Sequence, residues 1–514
     1  MALASLASRS VPPLGGPMHF LGGERVEGAG EAFAVTFPVT SEVLCEVRGA
    51  DGAQIDRATG EASRAFESGI WRGLAVEERA TVLERAADLL LARREPIVEE
   101  ILYDNGKTRD EAAIDLLAAV GSLKRAAVHC RDEEDRRLPT EGGVDKIVAR
   151  EPVGVVLGLA PFNAPLMFAG LKAAPPLAAG NSVILKPSER APLVAIHLCQ
   201  ALAEAGLPPG VLSLLHGGVE VAATLAGHPA VDLVSITGGT EAGGAVMRSA
   251  AATIKNLLLE LGGKSAHIVL ADADLERAIP AVAAGIFRNA GQRCFSGSRL
   301  VVEEAVADRV EEGVEAIARS LVVGDPFDEA TDVGPLIDLR AVDEAERFVE
   351  RAVGEGLALA AGGRRAPDLA PGAFFPPTVL VGADRSSCAA QEELFGPVLT
   401  SIRVRDADEA VSVANDSRYG LAGAVWTADP DRALEIARRV RSGYFWINTY
   451  GAIFGDVPFG GYGQSGSGRE AGIEGFHAYT EQKTILIDTT GGDSAPVFST
   501  SLDGTPLDGS GGGE

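Results

Sequence analysis

The stretch NAGQRCFSGSR, from Asn289 to Arg299, sets one cysteine between a charged residue and an aromatic, otherwise among glycine, serine and amides. A cysteine kept for packing has apolar neighbours, so Cys294 is a candidate nucleophile. Gly291 breaks the helical pattern that ends near Asn289 and lets the backbone bend close to a ligand, where an exposed thiol beside N–H donors can act as a thiolate. Taken alone, a lone cysteine is more often inert. In LLLELGGKS, Glu260 ends an apolar run and two glycines follow. A carboxylate there is costly unless paired or functional, and in an apolar cleft desolvation would raise its pKa toward that of a general base for water. In APFNAPL, Asn163 carries two amide N–H donors suited to an oxyanion, although an Asn between prolines serves equally well in a turn.

The elements that must position these residues follow an alternating pattern from residue 151. The strand PVGVVLGLA leads to an apolar helical stretch up to Gly180, and SVILKP is the next strand. A helix through His197 to Ala205 follows, then a PPG turn, strand VLSLL, helix VAATLAG, strand DLVSIT and a helix from Glu241 to about Ala252. Strands separated by helices of this length imply βαβ units and a mostly parallel, doubly wound sheet. Lys186 and Glu189 in ILKPSE then fall at the carboxyl edge of the sheet, where nucleotides bind in such folds; a carboxylate there accepts from ribose hydroxyls and repels a 2′-phosphate. SITGGTEAGG places Gly238 in a glycine-rich turn at a helix N-terminus, which suits a pyrophosphate, although its spacing is not GxGxxG and a plain strand–helix turn reads the same way.

Upstream, Ala75 to roughly Arg131 is rich in Glu, Arg, Ala and Leu with apolar spacings of three and four, which predicts a packing pair of helices. After Glu260 a second alternating block runs through SAHIVL, LERAIPAVAAGIFRNA and RLVVE to about Trp446, a second α/β domain. From Thr489 the chain is Gly, Ser and Asp-rich without periodicity, which predicts a disordered tail over 491–514.

With 514 residues the chain can build two or three domains. Its formal charge of −26 argues against nucleic acid or anionic lipid as main partner and for a small, locally recognised ligand. No apolar run is long enough to span a bilayer. MALASLASRS has the features of neither a signal nor a transit peptide. The five cysteines are scattered, without CxxC pairs or histidines at metal-ligand spacing. That pattern predicts a reducing cytoplasm and no metal.

Together these segments resemble the aldehyde dehydrogenase superfamily. PFN, KPSE, ITGGTEAG, ELGGKS, FRNAGQRC, EELFGPV and PFGGYGQSGSGRE occur in that family's order over roughly residues 20 to 488, with its spacing of thirty-four residues from Glu260 to Cys294. The resemblance implies that Cys294 is the nucleophile and Glu260 the base. Asn163 with the Cys294 backbone N–H would form the oxyanion hole, and Lys172 would belong to a proton relay. It implies NAD as cofactor, NADP being the alternative, with Lys186 and Glu189 on the adenosine ribose, Glu393 and Phe395 on the nicotinamide ribose and ring, and Gly218 and Gly238 packed on the dinucleotide. An aldehyde would be oxidised to its acid through a thiohemiacetal and thioester on Cys294, with water completing the reaction. The implied fold is α/β: a Rossmann-type dinucleotide-binding domain (1–130 and 151–260), an α/β catalytic domain (261–460) and a β oligomerisation arm (131–150 and 478–490). A homodimer or homotetramer is implied with it.

The sequence departs from the family pattern in places. Gly239 stands where many relatives have Ser, and Phe162 where Trp is frequent. Ala164 and Leu171 replace aromatics over the substrate, while Ile473 replaces an acid, with Glu474 next to it. These changes predict a roomier pocket bounded by Phe168, Phe295, Phe454 and Phe459, suited to bulky or aromatic aldehydes. Two alternatives remain at this level: a CoA-acylating semialdehyde dehydrogenase, disfavoured because Glu260 is retained, and a non-catalytic binding relative.

Overall fold

The computed structural model describes residues 18–141 and 143–491; the first residues and the tail from 492 onward, expected to be disordered, lie outside them. Two wound sheets carry the site. In the first, the parallel strands Leu212–Leu214, Ser182–Lys186, Val155–Leu159, Leu233–Thr237 and Asn256–Glu260 lie side by side in that order. His19–Leu21 and Gly466–Ser467 add antiparallel at the two edges. The chain winds outward from Val155–Leu159 in one direction and returns to fill the other side, so a crevice opens at the carboxyl ends of Val155–Leu159 and Leu233–Thr237. Every residue of the three strands 155–159, 182–186 and 233–237 is buried, as befits a parallel sheet covered on both faces.

The second sheet orders Ala358–Ala361, Thr378–Val381, Val398–Val404, Arg299–Glu303, Ala266–Val269, Ala422–Trp426 and Tyr444–Ile447; all neighbours are parallel except the first pair. Cys294 lies just before Arg299–Glu303 and Glu260 ends the last long strand of the first sheet, so the chemistry sits where the two sheets abut. A third, three-stranded sheet joins Arg136–Glu141, Val144–Pro152 and Thr480–Asp488. Two of its strands are exposed almost throughout, with Leu138, Ile485, Leu486 and Ile487 open to solvent.

The helical region before the first sheet differs from the expected pair. It forms three helices, Val76–Ala92, Arg94–Asn105 and Arg109–Asp132. Pro96, in the first turn of the second, is tolerated there because that turn has no intrahelical acceptors for its N–H groups. Gly106, at φ 78°, ends that helix. Helices 76–92 and 109–132 pack with Pro165–Ala179 and Ala195–Ala205 around Leu83, Leu90, Leu116, Leu123, Leu177 and Leu202, the largest core of the molecule.

Candidate active site

Cys294 follows a short kinked turn in which Asn289 and Ala290 adopt φ of 53° and 50°, a left-handed conformation that non-glycine residues adopt only when their surroundings hold them there. The hold is visible. Glu111 Oε1, from the first turn of Arg109–Asp132, accepts the Asn289 N–H at 2.6 Å, and the Asn289 side chain donates to the carbonyls of Asn163 (3.2 Å) and Gln292 (3.1 Å). In return the Asn163 amide donates to the Gln292 carbonyl at 2.9 Å, and Gln292 Oε1 accepts the Ile337 N–H at 2.9 Å. The loop after the first strand and the cysteine loop are therefore tied to each other. Asn163 is left with a second amide N–H, and the Cys294 N–H enters no backbone–backbone hydrogen bond.

The sequence suggests an exposed thiol, whereas Cys294 is 9 % exposed and packs on Leu421, Phe459 and Phe295. Burial and the nearby Glu260 carboxyl push its pKa well above that of a free thiol, so at rest it holds its proton. Glu260 is 1 % exposed, and the group near enough to hydrogen-bond to its carboxyl is the Cys294 thiol; no other side chain or backbone group among the described residues holds either oxygen. Desolvation, with Glu470 next in effect, raises its pKa well above the usual carboxylate range, while Lys172 opposes the shift. A buried carboxyl whose one neighbouring donor is a protonated thiol is placed to take a proton from that thiol or from a water in its place.

Beneath Glu260 lies a residue the motif reading did not single out. Glu470 reaches the site because Gly466–Ser467 pairs antiparallel with Leu259 and Glu260, and because Phe459 and Glu470 exchange backbone hydrogen bonds of 2.6 and 2.7 Å. Its carboxylate pairs with the fully buried Lys172, whose amine also donates to Ser235 Oγ at 3.0 Å; Ser235 in turn bonds the Tyr479 hydroxyl at 3.0 Å. The letters GRE are visible in the sequence, but only the strand pairing shows that this Glu returns to Glu260.

Cys294 lines a cleft of about 450 Å³, within the usual size of a ligand site. Lys186, Glu189, Gly238, Glu393 and Phe395 all line it. Gly218 does not; it caps the helix Val219–Gly227, whose Val219, Ala222 and Ala223 do. Lys186 and Glu189 form an ion pair at 3.1 Å. Burial works against the Glu189 charge, yet Lys186 and a backbone N–H hold its carboxyl below the ordinary range. Gly239 caps the helix Thr240–Ala250, so free N–H groups and the positive end of a helix dipole face the middle of the cleft. Near Cys294, Glu393 accepts the Gly263 N–H at 2.9 Å, and a β-carbon on Gly262 would fall 1.9 Å from Glu393. Phe162 meets Phe395 edge to face at 5.7 Å. A dinucleotide fits this set: a carboxylate–lysine pair for a ribose, helix N–H groups for a pyrophosphate, and a carboxylate with an aromatic ring beside the thiol.

The four phenylalanines expected to bound the substrate do not form one wall. Phe295 and Phe459 meet edge to face at 6.1 Å beside Cys294, whereas Phe168 packs with Ala160 and Ala164, and Phe454 is 61 % exposed. Tyr444, Trp446 and Tyr450, which the sequence does not mark, complete the aromatic side: Tyr444 lies 5.4 Å from Phe459, Trp446 lies 6.0 Å from Phe295, and the Tyr450 hydroxyl donates to the Phe295 carbonyl. Among the described residues, no cluster of acidic, His or Cys side chains has metal-binding geometry, and no helix is long and apolar enough to cross a membrane.

Comparison with known proteins agrees with this geometry. Residues 26–485 match the profile of the Aldehyde dehydrogenase family. Betaine aldehyde dehydrogenase of Bacillus subtilis (strain 168) is 38 % identical over 476 residues, covering 91 % of this chain and 97 % of its own. Retinaldehyde dehydrogenase 3 of Homo sapiens is 38 % identical over 473 residues, covering 91 % of each chain. The crystal structure of betaine aldehyde dehydrogenase from Staphylococcus aureus in complex with NAD+ superposes with a TM-score of 0.91 at 36 % identity, over 93 % of this chain and 96 % of that one. The chain belongs to the aldehyde dehydrogenase family and is an NAD(P)-dependent aldehyde dehydrogenase.

Proposed function

We propose that this enzyme oxidises its aldehyde through Cys294, with water as the second substrate and NAD rather than NADP as the preferred cofactor. The observation that carries the reading is the meeting of a protonated thiol that lines the cleft, Cys294, with a buried carboxyl, Glu260. Glu260 takes the thiol proton as the sulfur bonds to the aldehyde carbon. The free N–H of Asn163 and the backbone N–H of Cys294 receive the developing oxyanion. Bound NAD supplies the acceptor for the hydride that leaves that carbon, and the acyl group remains on sulfur as a thioester. Glu260 next draws a proton from a water whose oxygen attacks the thioester; the carbon–sulfur bond breaks and the acid departs. Lys172, with Glu470 and Ser235, carries protons away from Glu260. Lys186 and Glu189 hold the adenosine ribose, Gly218 and Gly238 lie along the dinucleotide, and Glu393 and Phe395 position its reactive end.

With Ala164 and Leu171 in place of aromatics beside Phe168, the substrate is bulky or aromatic. The test is a panel of short, long and aromatic aldehydes with NAD or NADP, with and without CoA. Reduced nicotinamide should form with NAD in the absence of CoA and fastest, by kcat/KM, with the larger aldehydes. Strict dependence on CoA would replace the hydrolytic reading, and acetaldehyde as best substrate would refute the pocket argument.

The exposed three-stranded sheet, with the apolar Ile485, Leu486 and Ile487 on its outer strand, supports assembly into a homodimer or homotetramer by addition to a second copy. A solution mass of one chain by light scattering would overturn this. Neither nucleic acid nor a membrane is a partner in this reading, and the enzyme works in the cytoplasm.

A further inference from the structure

On the helix Arg109–Asp132, Arg125 lies one turn beyond Gly121 and its side chain folds back over that glycine: a β-carbon at Gly121 would stand 2.9 Å from Arg125 Nη1 and 3.1 Å from Nη2. The loop of residues 451–457 closes from the other side, where a β-carbon at Gly455 would stand 1.9 Å from Arg125 Nε and 2.4 Å from Nη2. The guanidinium therefore occupies a slot that two glycines leave open. It is half-buried, and none of its hydrogen-bond donors meets an acceptor or an ion-pair partner among the described residues. Asp456 on the loop is the acidic group that acts on it, from beyond ion-pair distance, and His129 one turn further along the helix is the titratable group next to it.

The two elements that form this slot also reach the neighbourhood of Cys294. The loop 451–457 starts from Tyr450, whose hydroxyl holds the Phe295 carbonyl, and ends at Phe459, which packs on Cys294; neither ring lines the cleft. The helix bearing Arg125 lies against Pro165–Ala179, which carries Lys172 and follows directly on the Asn163 loop. Asp115 Oδ1 accepts the Met167 N–H at 2.6 Å, and a β-carbon at Gly170 would meet Ala119 at 3.0 Å.

We propose that the aldehyde reaches Cys294 between this helix pair and this loop and that Arg125 receives a carboxylate at its far end, so that the preferred substrate is an oxo-acid, an aldehyde whose chain ends in a carboxylate. The assignment rests on Cys294 as the reacting group. A planar guanidinium with idle donors matches a carboxylate by two parallel hydrogen bonds. In a chain of net charge −26, a cation in the approach also offsets the general repulsion of an anionic substrate. A cationic aldehyde meets like charge at the same point.

Pairs of straight-chain aldehydes of equal length, one ending in a carboxylate and the other in a methyl group, test this by kcat/KM. The wild-type ratio should favour the carboxylate by about tenfold or more at the matching length, and Arg125→Met should collapse that ratio. Arg125→Lys should retain part of it. Gly455→Ala, which keeps the charge but fills the slot, should collapse it as well. A wild-type ratio near one, or an Arg125→Met variant that slows both members alike, overturns the proposal. Dicarboxylates of the same lengths, titrated into wild type and Arg125→Met by calorimetry, separate the two readings. Selective loss of binding without any turnover in the wild type upholds Arg125 and sinks the Cys294 reaction; turnover with no carboxylate preference does the reverse.

Discussion

Replacing Cys294 by alanine should lower aldehyde oxidation by at least about a thousandfold while leaving NAD binding within about twofold of wild type. The separation follows from where the two functions sit. The thiol lines the cleft from the cysteine loop, whereas Lys186, Glu189, Gly238 and Glu393 line it from other elements, and none of them packs on the sulfur. The substitution removes one buried sulfur from contact with Leu421 and Phe459, a small cavity that costs about 1 kcal/mol in stability, so loss of activity cannot come from unfolding. Because burial and Glu260 keep the resting thiol protonated, wild-type alkylation by iodoacetamide should accelerate as pH rises well past the range of a free thiol. Cofactor binding by calorimetry and turnover by absorbance, on the same preparation, decide the matter. Steady-state oxidation by the alanine variant at a tenth of wild type would remove Cys294 as the nucleophile.

Much of the site is legible in the sequence because its members sit in short strings whose local structure is self-explanatory. Asn163 follows a buried strand, Glu260 ends another, and Cys294 follows a broken helix; glycine and proline mark each transition. What is hidden depends on pairings between distant segments. Glu470 is over two hundred residues from Glu260 in sequence and arrives only because Gly466–Ser467 adds to the edge of the first sheet. Tyr444 and Trp446 face Phe295 and Phe459 because Tyr444–Ile447 lies beside Ala422–Trp426, a register that periodicity within either strand does not reveal. Phe454 shows the converse: an aromatic close to Phe459 in sequence, it points out from its loop and leaves the wall to other rings. The helical region shows a third limit. A three-and-four spacing continues across the short joint at Arg93, so the pattern alone cannot report that one helix has ended and another begun.

Changing Glu260 to glutamine should separate the two halves of the reaction. The variant should give a burst of about one equivalent of reduced nicotinamide per active site, followed by a steady rate lower by about a hundredfold or more, the usual contribution of a positioned base. The amide fills the same space but accepts no proton from water, so the thioester on Cys294 accumulates. The burst survives, more slowly than in wild type and faster as pH rises, because desolvation still raises the thiol pKa while the smaller contribution of the Glu260 carboxyl is removed. The pH profile makes a second, independent statement. Only the ionised form of Glu260 can act as base, and its folded pKa is raised by desolvation and by Glu470. Wild-type kcat should therefore climb with pH through a limb lying above the ordinary carboxylate range and fall away as pH drops through it. In the glutamine variant that limb should disappear from the residual rate, which then follows hydroxide. Rapid-mixing measurement of the burst, with acid trapping of the acyl-enzyme, reads the first claim, and a kcat profile reads the second. Full steady-state turnover in the variant, or an acid limb that persists unchanged, would assign the water-activating role to another group, and Glu470, paired with Lys172 beneath the site, would be the one to change next.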